Sequence, residues 1–179
     1  MSEEMIIRHC SPTLAGIKTG NMFSCKYESV QDMRCAVRRF NKKLCSKGLR
    51  VVPLKFDGKR ALIYIYRPAL LTKDLENEAV CELLHRYGYI TGTPSHCVVR
   101  LVGRLNESDG FPHEIGLFLG YPPEDVKGFI ENGCCKCVGC WKVYGDEEAA
   151  KKTFAKYKKC TEIYCRLHRQ GRGIERLAV

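Results

Sequence analysis

The sequence has no long hydrophobic run. Its longest uninterrupted apolar stretch, residues 61–66, lies between Arg60 and Arg67, and it is far shorter than the roughly 20 residues that a membrane-spanning helix needs. The opening residues, MSEEMIIR, are acidic and lack the basic-then-apolar order of a secretory signal. These two absences predict a cytoplasmic protein that does not act within a membrane.

Internal repeats, Pro/Ser-rich linkers and low-complexity tracts are also absent. Hydrophobic residues make up 45% of the 179 residues and charged residues 28%, which is the composition of a globular chain with a hydrophobic core. No glycine-rich phosphate-binding loop is present, so the sequence carries no mark of a nucleotide site. We therefore predict a single domain over residues 1–179.

The pattern of apolar residues predicts an α+β fold, in which five or six helices pack with a small mixed sheet. Ser29 and Asp32 resemble a capping box at the start of an amphipathic helix. Residues 51–56 and 60–66 read as two strands around an Asp-Gly turn. Pro53 indicates that its strand lies at a sheet edge or carries a bulge.

The remaining elements follow from proline, capping and periodicity signals. We expect helices that begin at Ser11, Thr72, Thr93, Pro112, Pro123 and Asp146, and strands over residues 21–27, 135–144 and 174–179. Residues 114–130 fit the spacing of a helix-turn-helix, but the second helix opens with Glu124 and Asp125, which repel DNA phosphates. This segment is therefore predicted to be a packing corner between helices.

Positive charge is concentrated in two segments. Residues 29–50 contain seven basic residues and one acid, and residues 151–176 contain nine basic residues and two acids, within a net charge of +10. Arg34, Arg38 and Lys42 share one stripe of a helix. These segments predict either an ordinary solvated surface or the binding of nucleic acid or another acidic partner.

Twelve cysteines are a high number for an intracellular domain, where reducing buffers keep thiols free. Cys134, Cys137 and Cys140 repeat the two-residue gap of zinc knuckles and iron–sulfur loops, and Cys160 is a candidate fourth ligand. The set predicts a zinc ion or an iron–sulfur cluster. The alternative is that free cysteine serves as a small apolar residue, here alternating along a strand.

Cys10 is a candidate nucleophile, because it precedes a predicted helix start, where the helix dipole stabilises a thiolate. His9 adjoins it in sequence, and His113, Glu114 or His96 are candidate partners in space. The alternatives are a structural role for Cys10 and, for Glu114, a simple complement to the positive end of a helix.

Lys142 and Tyr144 lie where a predicted strand enters a capped helix, a junction at which α/β proteins often bind ligands. If they share one face of the strand, the ammonium and hydroxyl groups can bind an anion. The alternative is that Trp141 and Val143 pack inward while Lys142 and Tyr144 are simply exposed.

Three strings in the sequence are specific enough to indicate a family. They are HCSPTLAG at residues 9–16, FPHEIGLFLGYP at 111–122 and WKVYGD at 141–146. The chain resembles DUF3793, a bacterial family that is known only as a domain of unknown function. This resemblance spans nearly the whole chain, implies a stand-alone domain found mainly in anaerobic bacteria, and brings no established activity.

From the sequence we predict a thiol-rich accessory protein that binds metal or takes part in redox chemistry. Nucleic-acid binding through the basic helices and an enzyme centred on Cys10 are the two alternatives. The sequence selects neither a substrate nor a reaction.

Overall fold

The computed structural model describes residues 1–107 and 110–179. In chain order, the elements are α1 (Glu3–Leu14), β1 (Gly20–Lys26), α2 (Val30–Leu44), β2 (Arg50–Asp57), β3 (Arg60–Tyr66), α3 (Pro68–Asp74), α4 (Glu78–Arg86), α5 (Pro94–Glu107), α6 (Ile115–Phe118), α7 (Pro123–Ile130), β4 (Cys137–Val138), β5 (Lys142–Val143), α8 (Glu147–Arg169) and α9 (Ile174–Leu177). The predicted α+β class is confirmed. Every strand pair in the described residues is antiparallel.

The chain forms two compact units. The first unit contains residues 1–70 and 159–179, and the second unit contains residues 71–158. The first unit holds the three-stranded sheet, and the second holds the two-stranded ribbon of β4 and β5. The expectation of one domain over residues 1–179 stays a prediction.

The sheet of the first unit has the strand order β1-β3-β2. The predicted hairpin is confirmed, since β2 and β3 pair from Asp57 and Arg60 outward. Pro53 lies on the edge strand β2, and the register of that strand shifts between Pro53 and Lys55. Both features predicted for this proline are therefore present, because a residue without an N–H is tolerated at an edge or a bulge.

The core of the first unit lies against one face of this sheet. Alternate residues of β3, namely Ala61, Ile63 and Ile65, point into it. Helix α2 adds the stripe Met33, Val37, Phe40 and Leu44, whereas Val30, which the helical spacing predicts to belong to the same stripe, is 38% exposed. Its N-cap is also confirmed, because the Ser29 hydroxyl accepts the Asp32 N–H at 3.0 Å.

The first helix was predicted to begin at Ser11, and this prediction is wrong. Helix α1 begins at Glu3, where the Ser2 hydroxyl accepts the Met5 N–H at 3.2 Å, and it contains Pro12 in its last turn. The stripe of Ile6, Ile7, Cys10 and Leu14 is buried. Burial of this stripe outweighs the usual placement of proline at a helix start.

The C-terminal strand predicted over residues 174–179 is also wrong. Ile174, Leu177 and Ala178 are buried with i, i+3 and i+4 spacing, which is helical, and the Ala178 N–H donates to the Ile174 carbonyl. The helix predicted from Thr72 to Gly88 is likewise two helices, α3 and α4. Asn77 separates them, since its side-chain oxygen accepts the N–H groups of Ala79 and Val80.

In the second unit, the strand predicted over residues 135–144 is a ribbon of two short strands. A tight turn interrupts it, in which the Gly139 N–H donates to the Trp141 carbonyl at 3.0 Å. Asp146 then caps α8 as predicted, because its carboxylate accepts the Ala149 N–H. In the part of the chain that the structure describes, no helix, α8 included, is both long and apolar enough to cross a membrane.

Candidate functional site

A cavity of about 400 Å³ lies in the second unit beside the corner formed by α6 and α7. Its aromatic lining consists of Phe111, Tyr121, Phe129 and Trp141. The aliphatic lining consists of Ile115, Leu119 and Val126. Small-molecule sites are mostly apolar cavities of roughly 300–1,000 Å³ that contain a few polar groups, and this cavity falls within that class.

The corner itself is tightly packed, as the sequence predicts. Leu117 and Phe118, which a DNA-reading arrangement would turn outward, are buried. Their burial orients the other face of the corner, with Ile115 and Leu119, towards the cavity. The segment 114–130 therefore forms one wall of the cavity.

Trp141 is held in one orientation by three contacts. Its indole N–H donates to Asp125 Oδ2 at 2.7 Å. Its ring stacks on Tyr121, with centroids 4.8 Å apart, and meets the Phe154 ring edge-on at 4.5 Å. Rings in such contacts lose little further freedom when a ligand binds, so this wall is preorganised.

Asp125 joins α7 to the end of the β4–β5 ribbon. Its side chain is 3% exposed, and its Oδ1 accepts the N–H groups of Tyr144 and Gly145, both at 2.7 Å. Together with the Trp141 bond, both carboxylate oxygens are occupied by protein donors. The sequence analysis missed this role, because an acid in the first turn of a helix is the ordinary pattern and carries no sign of burial.

Two nitrogen-bearing side chains meet at one aromatic ring of the cavity. The His113 ring packs edge-on against Phe129, with centroids 4.9 Å apart. The Lys142 ammonium lies 5.2 Å from the centroid of the same ring. Both side chains are exposed at the cavity surface. The sequence singled out these two residues for different sites, and the structure brings them together.

Tyr144, the predicted partner of Lys142, packs elsewhere. A Cβ added at Gly128 would lie 2.5 Å from the Tyr144 ring, so Tyr144 lies directly over the α7 backbone. Burial against this surface raises the pKa of Tyr144. Lys142 lines the cavity and Tyr144 is absent from its described lining.

Glu114, a predicted catalytic residue, is engaged inside the second unit. It is 1% exposed, and its carboxylate accepts the Tyr89 hydroxyl at 3.0 Å and the Arg104 guanidinium. Burial, followed by the charge of Glu114, raises the pKa of Tyr89. These contacts give Glu114 a structural ion pair.

Cys10 and His9 belong to the first unit, whereas His113 and Glu114 belong to the second. Cys10 has no exposed surface, and burial raises the pKa of its thiol. It lies near the C-terminal end of α1, where the helix dipole disfavours an anion. His9 stacks on Phe23 at 5.5 Å. The expected helix start behind Cys10 does not exist, and the Cys10 enzyme stays a prediction without geometric support.

The cysteines proposed as metal ligands occupy different surroundings. Cys134 and Cys140 are exposed, Cys137 is half-buried in β4, and Cys160 belongs to the first unit. Among residues 1–107 and 110–179, no three His, Cys, Asp or Glu side chains are placed to hold a metal ion. Zinc or iron–sulfur binding and thiol redox chemistry stay predictions.

Comparison with known proteins identifies the family. A family model described as a protein of unknown function, DUF3793, matches residues 6–178. The chain belongs to this family. No curated protein and no solved structure matches it. DUF3793 membership confirms the resemblance carried by the three strings and assigns no activity to the cavity.

Proposed function

We propose that this DUF3793 protein binds a small, flat, largely apolar molecule in the cavity of its second unit. The observation that carries the proposal is a preorganised aromatic wall around a space of about 400 Å³. That volume is near the lower end of the range for small-molecule sites. The occupant is therefore a compound of one ring or a fused ring pair rather than a dinucleotide.

Trp141 supplies a direct readout, since it is the single tryptophan of the chain and lines the cavity. Neutral aromatic probes such as 2-naphthamide are expected to quench its fluorescence in a saturable manner. Calorimetry with the same probe gives an independent affinity. The absence of saturable quenching and of heat at millimolar probe would refute the proposal.

The variant Leu119→Phe tests whether the probe binds in this cavity. Leu119 is a half-buried wall residue, and a larger side chain there reduces the space available to the probe. We expect an affinity loss of about tenfold, or about 1.4 kcal/mol. Ile130→Phe is the matched control, because Ile130 is also half-buried and lies outside the described lining.

A separate observation in the first unit favours nucleic-acid binding as a second candidate. Arg34, Arg38 and Lys42 are exposed at i, i+4 spacing on α2, and no ion pair involves them in the described residues. Like charges at this spacing destabilise a helix by roughly 0.2–0.5 kcal/mol per pair. A phosphate backbone removes this repulsion. The apolar face of α2 is buried, which leaves it no surface for insertion into a lipid bilayer.

Fluorescence anisotropy with a labelled 20-base-pair duplex tests this candidate. Three phosphate contacts predict that log K falls with log salt at a slope of about −3. Reversal of Arg34, Arg38 and Lys42 to Glu is expected to abolish binding. Reversal of Lys152, Lys156 and Lys159 on α8 makes the same change in net charge, and an equal loss from it would contradict a site on α2.

A further inference from the structure

The polar groups of the cavity carry information about the charge of its occupant. Four of the described lining side chains can be ionised, namely Asp125, His113, Lys142 and Tyr121, and burial raises the pKa of Tyr121 to about 12, so its phenol stays neutral. These side chains differ in how many hydrogen bonds and ion pairs they already make within the protein. This difference decides which of them remains available to a ligand.

Asp125 is not available. Its two carboxylate oxygens accept three hydrogen bonds from Trp141, Tyr144 and Gly145, and the side chain is almost fully buried. A cationic ligand would have to compete with these donors. Losing them would also release the indole ring that forms the wall.

Lys142 is available. Its ammonium lies over the Phe129 ring, its side chain is exposed, and no carboxylate of the described residues lies within ion-pair distance of it. The face of an aromatic ring only partly satisfies an ammonium, because the ring offers a quadrupole and not a full charge. The His113 imidazole, roughly perpendicular to the same ring with centroids 4.9 Å apart, adds a hydrogen-bond donor.

We infer that the ligand is a planar aromatic monoanion, such as an aromatic carboxylate. Its rings pack against Trp141 and Phe129, and its anionic group pairs with Lys142 and accepts a hydrogen bond from His113. A monoanion fits because Lys142 is the one lysine or arginine among the described lining residues. This inference rests on the proposed function of the cavity, and it adds the charge of the ligand and the residue that selects it.

A matched pair of probes tests the inference separately from the cavity itself. 2-Naphthoate and 2-naphthamide have nearly the same shape and differ in charge. With the wild-type protein we expect 2-naphthoate to bind at least about tenfold more tightly, since a charge-assisted contact is stronger than a neutral one. Binding is followed by Trp141 fluorescence and by calorimetry.

Variants assign the preference to one side chain. Lys142→Met is expected to abolish the preference for 2-naphthoate over 2-naphthamide, whereas Lys142→Arg keeps this preference. Lys127→Met removes an exposed positive charge from α7 outside the described lining, and it is expected to change neither affinity. Circular dichroism melting confirms that each variant is folded.

The outcomes separate the two proposals. Equal binding of both probes to the wild type would overturn the anion inference and leave the cavity proposal intact. A preference for 2-naphthoate that survives Lys142→Met would also overturn it, because another group would then supply the charge. Failure of both probes to bind would overturn the proposed function.

Discussion

At the residue scale, the chemistry of each thiol depends on its exposure. Cys10 is fully buried with its pKa raised by burial, whereas Cys35, Cys134 and Cys140 are exposed. The thiolate is the reactive form, so a raised pKa means less of it at any working pH. Burial also keeps reagents from reaching the Cys10 thiol, which lowers its reactivity further.

The rate of alkylation by iodoacetamide at pH 8 is expected to be higher for exposed thiols than for buried ones. Cys35, Cys134 and Cys140 should be modified in the folded protein, and Cys10 only after unfolding in urea. Peptide mass spectrometry over a time course measures each site. Modification of Cys10 at the rate of Cys35 would contradict its burial and would support the hypothesis of an enzyme centred on Cys10.

Asp125 is the residue on which the cavity wall depends. Asp125→Asn keeps one oxygen for the N–H groups of Tyr144 and Gly145, but it places an amide N–H₂ opposite the indole N–H of Trp141. Two donors then face each other in a buried site. We expect the free energy of unfolding to fall by about 1–3 kcal/mol. Urea denaturation measures this loss.

Trp141 fluorescence is expected to shift to longer wavelength in the same variant, since an indole released from Asp125 becomes more accessible to water. Glu124→Gln, an exposed neighbour on the same turn, is the control. An unchanged urea midpoint in Asp125→Asn would show that the three hydrogen bonds do not organise the wall.

At the scale of elements, the β4–β5 ribbon is positioned by close packing rather than by its own length. A Cβ added at Gly139 would lie 2.2 Å from the Phe154 ring of α8, closer than any real contact. Two residue pairs join the ribbon strands, and a ribbon this short is marginal without packing. The contact with α8 therefore acts together with the Asp125 hydrogen bonds to position Trp141 and Lys142.

Gly139→Ala is expected to destabilise the second unit by about 1–3 kcal/mol through overpacking. Gly92→Ala is the matched control, because a Cβ there meets no atom within 4 Å and the backbone has no positive φ. Thermal melting and probe affinity are measured for both variants. Equal melting temperatures would mean that the ribbon moves away at no cost and that α8 does not position it.

At the scale of the whole chain, Glu3 connects segments that are far apart in sequence. Its carboxylate accepts the Lys43 ammonium at 2.7 Å and the Ile174 N–H at 2.9 Å. Partial burial opposes the charged form, but these hydrogen bonds outweigh it and lower the pKa of Glu3. The stability that this carboxylate contributes is present above its ordinary pKa of about 4.5 and is lost as pH falls through the lowered value.

Urea midpoints measured from pH 7 to pH 3 test this dependence. The wild type is expected to lose stability below about pH 4.5, and Glu3→Gln should lose less over that interval because its side chain does not titrate. Glu4→Gln, an exposed neighbour on α1, is expected to follow the wild type. Parallel curves for the wild type and Glu3→Gln would contradict the assignment of this pH dependence to the Glu3 carboxylate.

The local elements were largely predictable, because each depends on residues close together in the chain. Ser29 and Asp146 cap the helices that they were expected to cap, and Pro53 lies at both an edge and a bulge. One error arose where packing outweighed a local signal. Helix α1 contains Pro12 because a buried stripe runs through it. Two missed signals were legible in the sequence, namely the helical spacing of Ile174, Leu177 and Ala178 and the capping residue Asn77 between α3 and α4.

By itself, the sequence determined the α+β class, the hairpin, the caps at Ser29 and Asp146 and the family, since these follow from short-range pattern and composition. Tertiary structure alone decided the candidate site. Trp141, Phe129 and His113 come from three separate segments, and only packing brings them to one cavity. It also decided that Cys10 is buried and that Asp125 is a buried anchor, because burial depends on which segments meet and not on the identity of the residue.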